Sequence, residues 1–425
     1  MFEQLDKQVY QQIDNADQTL VNRYHRGSRM DPTSYPQNWN RTFELIPEHP
    51  VGGVLLLHGL SDSPYSLRSW GKKLYELGYY VVGLRLPGHG TSPSGLVTVK
   101  WQDWAAAVRV AASHIEARIG QNKPFYLFGY SNGAALAVEY ALAVLEGEDL
   151  ARPDALVLFS PAVGVTGIAA LAIWQSRIGH LAGLEKLQWN DIQAEFDPYK
   201  YNSFAVNAGD QIYRLTGNIS ERLGALATGD GLTDFPRLLA FASVVDATIP
   251  PHSLIDNLLS RLAPEGHELV LFDVNRNTES EALMKPDFAA QVERSLKASH
   301  QTFDLTVVTN AAADTDRVKT RHLPAGSDTV TDTPLDLSWP EQVFSLSHVA
   351  LPFPPDDPIY GAESEEDGHP WISLGRMDVR GERGLLLFPD NYFMRLRYNP
   401  FHAYIAKRIE ELADGAINKS EEIPQ

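Results

Sequence analysis

The sequence predicts an α/β fold, a mostly parallel sheet flanked by helices, and three observations predict it. Short apolar runs alternate with helical patterns of ten or more residues, the crossovers that parallel strands require. Those runs, at 51–57, 79–84, 125–130 and 155–159, are apolar almost throughout, as buried strands are. The run at 125–130 ends at Gly129-Tyr130-Ser131-Asn132-Gly133, and a helical pattern starts at once with Ala134, Ala135, Leu136 and Val138.

Taken in order, residues 1–41 form a polar N-terminal segment with little sign of a core and a possible polar helix over 4–20. A first part of the core is expected over 42–163. It opens with a strand at 42–46 and continues with the strand at 51–57, which runs into His58-Gly59-Leu60-Ser61-Asp62-Ser63-Pro64. Leu67, Trp70, Leu74 and Leu77 then recur at helical spacing, and Gly78 stops that helix. The strand at 79–84 closes in Leu86-Pro87-Gly88-His89-Gly90. Trp101, Trp104, Val108, Ala112, Ile115 and Ile119 mark one helix face, with Asp103 in its first turn.

The strand–helix rhythm breaks at Gly164. Residues 164–235 hold only short helical patches and read as a cap insertion over the strand ends. The core resumes over 236–274, with a strand at 238–245, an amphipathic helix carrying Leu254, Leu258 and Leu262, and a strand at 269–274. A second insertion, 275–340, shows one β-like run at 303–308; segments this long usually carry function or lack fixed structure. Residues 341–425 return to the core through an apolar run at 343–346, and Asn399-Pro400 opens a last helix with Phe401, Tyr404, Ile405, Ile409 and Leu412 on one face.

Composition narrows the partners. Fifty-four acidic against 36 basic side chains, a formal charge of −18, argue against nucleic acid, whose phosphates call for clustered Lys and Arg. No apolar run approaches the ~18–20 residues of a membrane span. Cysteine is absent, so disulfides and thiol catalysis are excluded. The polar start is unlike a secretory signal and makes the cytoplasm the expected compartment, although a cysteine-free chain suits the periplasm equally.

A serine between two glycines, at a turn from buried strand into helix, is the geometry of a nucleophile elbow. The plainer alternative is a turn whose serine merely caps the helix. A serine hydroxyl needs a base, and histidine titrates in the right range. A carboxylate must then orient the imidazole, in the chain order serine, carboxylate, histidine. Asp246 follows the 238–245 strand at its carboxyl end and is the expected carboxylate, with Asp273 its competitor and Asp234 at the wrong end of the sheet. Among 13 histidines, His348 follows an apolar run, precedes a loop and is the expected base. His58 and His89 precede the serine and are expected to support their loops; His252, His267, His369 and His402 fit less well. The expected oxyanion donors are the backbone N–H groups of Asn132 and Leu60, with Gly59 letting its loop turn inward. Asp62 and Ser63 are expected to cap the following helix.

His58-Gly59-Leu60, Leu86-Pro87-Gly88-His89-Gly90, Gly129-Tyr130-Ser131-Asn132-Gly133, Asp246-Ala247-Thr248-Ile249-Pro250 and Ser347-His348 together resemble the α/β-hydrolase superfamily. The first four are similar to monoglyceride lipases and the related serine-aminopeptidase-like carboxylesterases. The family usually reaches its histidine soon after the last strands, whereas here about 70 residues intervene. The resemblance implies an α/β-hydrolase fold with a cap insertion and a second long insertion before the histidine. It also implies a serine hydrolase of small-molecule carboxylic esters working without cofactor or metal. Trp174, Trp189, Phe196, Tyr199, Tyr201 and Phe204 of the cap either line an acyl pocket or form the cap's own core. The other readings are a different acyl substrate (thioester, lactone or peptide) and a hydrolase fold kept as a binding module. Oligomeric state is left open.

Overall fold

A computed structural model describes residues 3–4, 7, 22–120, 122–163, 188–227, 231–246, 248–277, 302–341, 343, 345–362, 374–375 and 396–421. The expected helix over 4–20 lies almost wholly outside them, as do residues 164–187 of the cap, with Trp174, and His369.

Among the described residues ten strands form one sheet: β1 (Phe43–Leu45), β2 (Gly52–Leu57), β3 (Tyr79–Leu84), β4 (Phe125–Tyr130), β5 (Ala155–Phe159), β8 (Arg237–Ser243), β9 (Glu268–Phe272), β10 (Asp304–Asn310), β11 (Arg317–Leu323) and β12 (Thr331–Ser338). Two further strands, β6 (Trp189–Asp191) and β7 (Phe204–Ala205), pair as a separate ribbon. The order across the sheet is β1-β3-β2-β4-β5-β8-β9-β10-β11-β12. From β3 to β10 every neighbouring pair is parallel; β1 at one edge and β11 and β12 at the other run antiparallel.

Every residue of β2, β4 and β5 is buried, because helices cover both faces. Side-chain alternation divides the core in two. Leu55, Leu57 and Leu127 pack with α2 (Trp101–Ile119), α3 (Asn132–Leu145) and α4 (Val206–Leu226). Val54, Leu56 and Phe128 pack on the other face with α1 (Arg68–Glu76) and α5 (His402–Glu421). α2 starts where predicted: the Asp103 carboxylate accepts the Lys100 N–H at 2.9 Å and satisfies a free donor of its first turn.

Two regions differ from expectation. Residues 304–338, read as part of an irregular insertion with one β-like run, carry β10 to β12 and extend the main sheet. β11 and β12 are rich in Thr, Asp, Lys and Arg, and β12 is mostly exposed, so an apolar-run criterion passes over them. The segment from residue 22 to 41 is also packed. Met30 and Asp31 are buried, Arg23 is 2% exposed, and Tyr35 and Trp39 join the second core. Single anchors without helical or strand period leave no sequence pattern.

Candidate active site

The elbow is built by close approach. A Cβ on Gly133 would sit 2.0 Å from the Leu57 carbonyl oxygen, and one on Gly129 would sit 2.4 Å from the Ala134 Cα. Only glycine lets α3 leave β4 this tightly against β2. Ser131 between them adopts φ +52°, a left-handed conformation that costs a non-glycine residue ~1–3 kcal/mol and must be held by its surroundings. Part of that hold is visible: the Ser131 N–H donates to the Phe159 carbonyl at 2.9 Å, and its own carbonyl accepts from Ala134 and Ala162.

Asp246 and His348, 102 residues apart, meet at this end of the sheet: His348 Nδ1 lies 2.7 Å from Asp246 Oδ2. Both are buried. The other carboxylate oxygen accepts the backbone N–H groups of Thr248 (2.9 Å) and Ile249 (2.8 Å), which fixes the carboxylate's rotation. The His348 loop is tied down as well. Ser347 Oγ donates to the Leu396 carbonyl at 2.7 Å, and Ser160 Oγ reaches the His348 carbonyl at 3.3 Å.

Ser131, His348, Leu60 and Asn132 line one cavity of about 420 Å³. Its walls are largely apolar, with Phe204, Val206, Ile212, Ile249 and Val349 among them. The structure thus gathers the five sequence-predicted residues: four face the cavity and Asp246 backs His348. The competing carboxylates are occupied elsewhere. Asp273 is paired with Arg276 at 2.8 Å and accepts from Thr309; Asp234, its side chain mostly exposed, sits 3.5 Å from Arg152.

Four other histidines pack into the scaffold. His58 accepts the Leu86 N–H at Nε2, so its proton is on Nδ1, facing the Gly59 carbonyl at 2.9 Å. Burial drives its pKa well below the ordinary value, and the neighbouring His89 adds to the effect. His89 Nε2 lies 2.7 Å from the Leu60 carbonyl and Nδ1 3.0 Å from that of Pro87; burial lowers its pKa too. His267 accepts the Leu238 N–H, and His402 stacks on Trp70 with ring centres 4.0 Å apart.

Two expectations about side chains change. Ser63 stands at the N-cap position of the short 3₁₀ turn Pro64–Leu67, but its side chain makes no capping bond. Asp62 faces the cavity, with Lys200 Nζ 3.1 Å from Oδ1. Of the cap aromatics in the described residues, Phe204 lines the cavity. Tyr199 stacks on Tyr65 at 4.2 Å, Tyr201 bonds the Gly88 carbonyl and the Thr91 N–H, and Trp189 packs against the first core. Lys200 was not legible in the sequence. A lone lysine between two tyrosines carries no signal of the distant Asp62 it will meet.

A parallel sheet with a glycine-flanked serine elbow and an Asp–His pair beside it is the α/β-hydrolase fold, and the chain resembles that superfamily's serine hydrolases of the lipase and esterase kind. Residues 48–216 match the family described as Serine aminopeptidase, S33, a stretch that includes Ser131 and ends before Asp246 and His348. Over 92 residues the chain is 33% identical to a thermostable monoacylglycerol lipase of Bacillus sp. (strain H-257), covering 22% of this chain and 35% of that lipase. The structure of a metagenome-derived lipolytic enzyme of the LipS/LipT pair is 20% identical with a TM-score of 0.42, covering 61% of this chain and 96% of its own. The monoacylglycerol lipase of Paleococcus ferrophilus is 20% identical with a TM-score of 0.39, covering 55% and 88%. Among the described residues no helix is long and apolar enough to cross a membrane.

Proposed function

We propose that the protein is a serine hydrolase of carboxylic esters, working through an acyl-enzyme. The observation that carries this reading is the buried 2.7 Å Asp246–His348 pair opening onto the same cavity as the elbow serine. Ser131 attacks the ester carbonyl while His348 takes its proton at Nε2. Asp246 holds the proton on Nδ1 and stabilises the imidazolium that forms. The oxyanion is met by the N–H groups of Leu60 and Asn132, the latter at the N-terminus of α3 where the helix dipole adds to its pull. His348 then protonates the leaving alcohol, activates water, and the acid departs. The apolar walls around Phe204, Ile212 and Val349 suit an acyl chain.

The test is a panel of nitrophenyl esters from acetate to palmitate, run with wild type and Ser131→Ala and paired with labelling by a fluorophosphonate probe. Turnover and labelling are expected in wild type and lost in the folded variant, apart from the residual catalysis that binding and an oxyanion hole sustain. Full turnover by folded Ser131→Ala would sink the mechanism. A folded wild type that neither labels nor hydrolyses any ester would favour a binding module instead.

A further inference from the structure

The loop expected to supply the Leu60 amide is held from outside, one residue after another. The Leu60 carbonyl meets His89 Nε2 at 2.7 Å. The Ser61 carbonyl accepts the Tyr201 N–H at 2.7 Å. The Asp62 carboxylate faces the Lys200 ammonium at 3.1 Å, with side chains 4% and 14% exposed. Two of these three holds come from consecutive residues, Lys200 and Tyr201, which belong to the segment between the two halves of the core.

That segment is itself anchored. The Lys200 N–H donates to Asp197 Oδ1 at 3.0 Å, and its carbonyl accepts from Arg23 at 3.0 Å. Asp197, fully buried, also takes the Tyr360 hydroxyl at 2.6 Å and the Arg397 guanidinium at 3.2 Å. Lys200 therefore sits on a rigid backbone tied both to the N-terminal segment and to the chain beyond His348. Its partner has little else. Asp62 Oδ1 is buried and makes no hydrogen bond among the described residues, so the ammonium is what compensates this oxygen. A buried carboxylate that loses its cation turns outward or takes up a proton, and either response moves the backbone that carries it.

We propose that Lys200 is a positioning residue: through Asp62, and with Tyr201 and His89 beside it, it holds the 59–62 loop so that the Leu60 N–H points at the developing oxyanion. The inference rests on the serine-hydrolase reading above. Its consequence is specific, because an oxyanion donor acts in the transition state and contributes little to ground-state binding.

The experiment compares wild type, Lys200→Met, Lys200→Arg, Asp62→Asn and the double variant Lys200→Met/Asp62→Leu. It measures kcat and KM on nitrophenyl butyrate and affinity for an alkyl boronic acid, with thermal melting to verify folding. Lys200→Met is expected to lower kcat roughly 10- to 100-fold, the scale of a misdirected rather than a lost oxyanion donor, with KM changed less than about twofold. Boronic acid affinity should fall alongside kcat. Lys200→Arg should keep most of kcat. The double variant should recover part of the loss, because an apolar pair leaves no buried charge behind. If Lys200→Met does not fold, Asp62→Asn carries the same test. An unchanged kcat in the folded variant, or a raised KM at constant kcat, would overturn the proposal; the latter would make Lys200 a substrate contact. Inactive, unlabelled wild type would instead remove the hydrolase reading, and this inference with it.

Discussion

Replacing Asp246 by Asn asks whether the carboxylate's role is to choose the His348 tautomer. In the native site Oδ1 accepts two backbone N–H groups, from Thr248 and Ile249, and Oδ2 faces Nδ1 of His348. An asparagine of the same shape has one acceptor oxygen and one donor NH2. Turning the NH2 toward Thr248 and Ile249 would set donor against donor at 2.8–2.9 Å and leave the buried Ile249 N–H unsatisfied, at ~1–3 kcal/mol. The amide oxygen therefore keeps the Oδ1 place and the NH2 faces Nδ1. Nδ1 must then accept, the ring proton moves to Nε2, and His348 has no lone pair left for the Ser131 hydroxyl. A wrong tautomer of this kind costs about 10⁴ in kcat for a Ser-His-Asp enzyme. Folding should survive, because both backbone bonds persist. The assay is kcat on nitrophenyl butyrate with melting temperature and fluorophosphonate labelling measured on the same preparation. A folded Asp246→Asn retaining more than about a tenth of wild-type kcat would refute the tautomer reasoning.

Two further outcomes follow from the same geometry. Phe204→Ala, which opens the cavity wall, should shift kcat/KM between palmitate and acetate esters by ~1–3 kcal/mol, against the long chain; equal slowing of every ester would mean that Phe204 does not line the acyl path. His402, partly buried and stacked on Trp70, has its pKa lowered from 6.5 to about 3, chiefly by desolvation of its ring with Lys73 adding to it. The unfolded chain then binds the extra proton first, so this histidine's contribution is present above pH 6.5 and is lost as pH falls toward 3. Between pH 7 and pH 5 the loss is about 2 kcal/mol. His402→Phe keeps the stacking and should remove that part of the acid sensitivity in urea unfolding. An unchanged difference between the two pH values would contradict it.

Much of this site is legible in the sequence because its signals are local. A strand buried on both faces must be apolar along its length, so β2 to β5 stand out one by one. The elbow's glycines are required by a 2.4 Å contact inside the strand–helix turn and a 2.0 Å contact against Leu57 of β2, yet both fall within one five-residue motif, so their spacing marks Ser131. Asp246 could be placed by the strand before it, and His348 by the apolar run that buries Leu346.

What the sequence determined by itself was therefore the order of the sheet-forming runs, the elbow and the candidates for each chemical role. Tertiary structure alone decided the 2.7 Å meeting of Asp246 with His348, the pairing of polar β11 and β12 onto the sheet, the anchoring of Arg23, and the turning of Asp62 from an expected helix cap to Lys200. The division has a physical cause. Hydrophobic burial and backbone sterics act between near neighbours and repeat with the period of a helix or strand. An ion pair or single buried hydrogen bond between distant residues depends on where the folded backbone carries two side chains, and no periodicity records it.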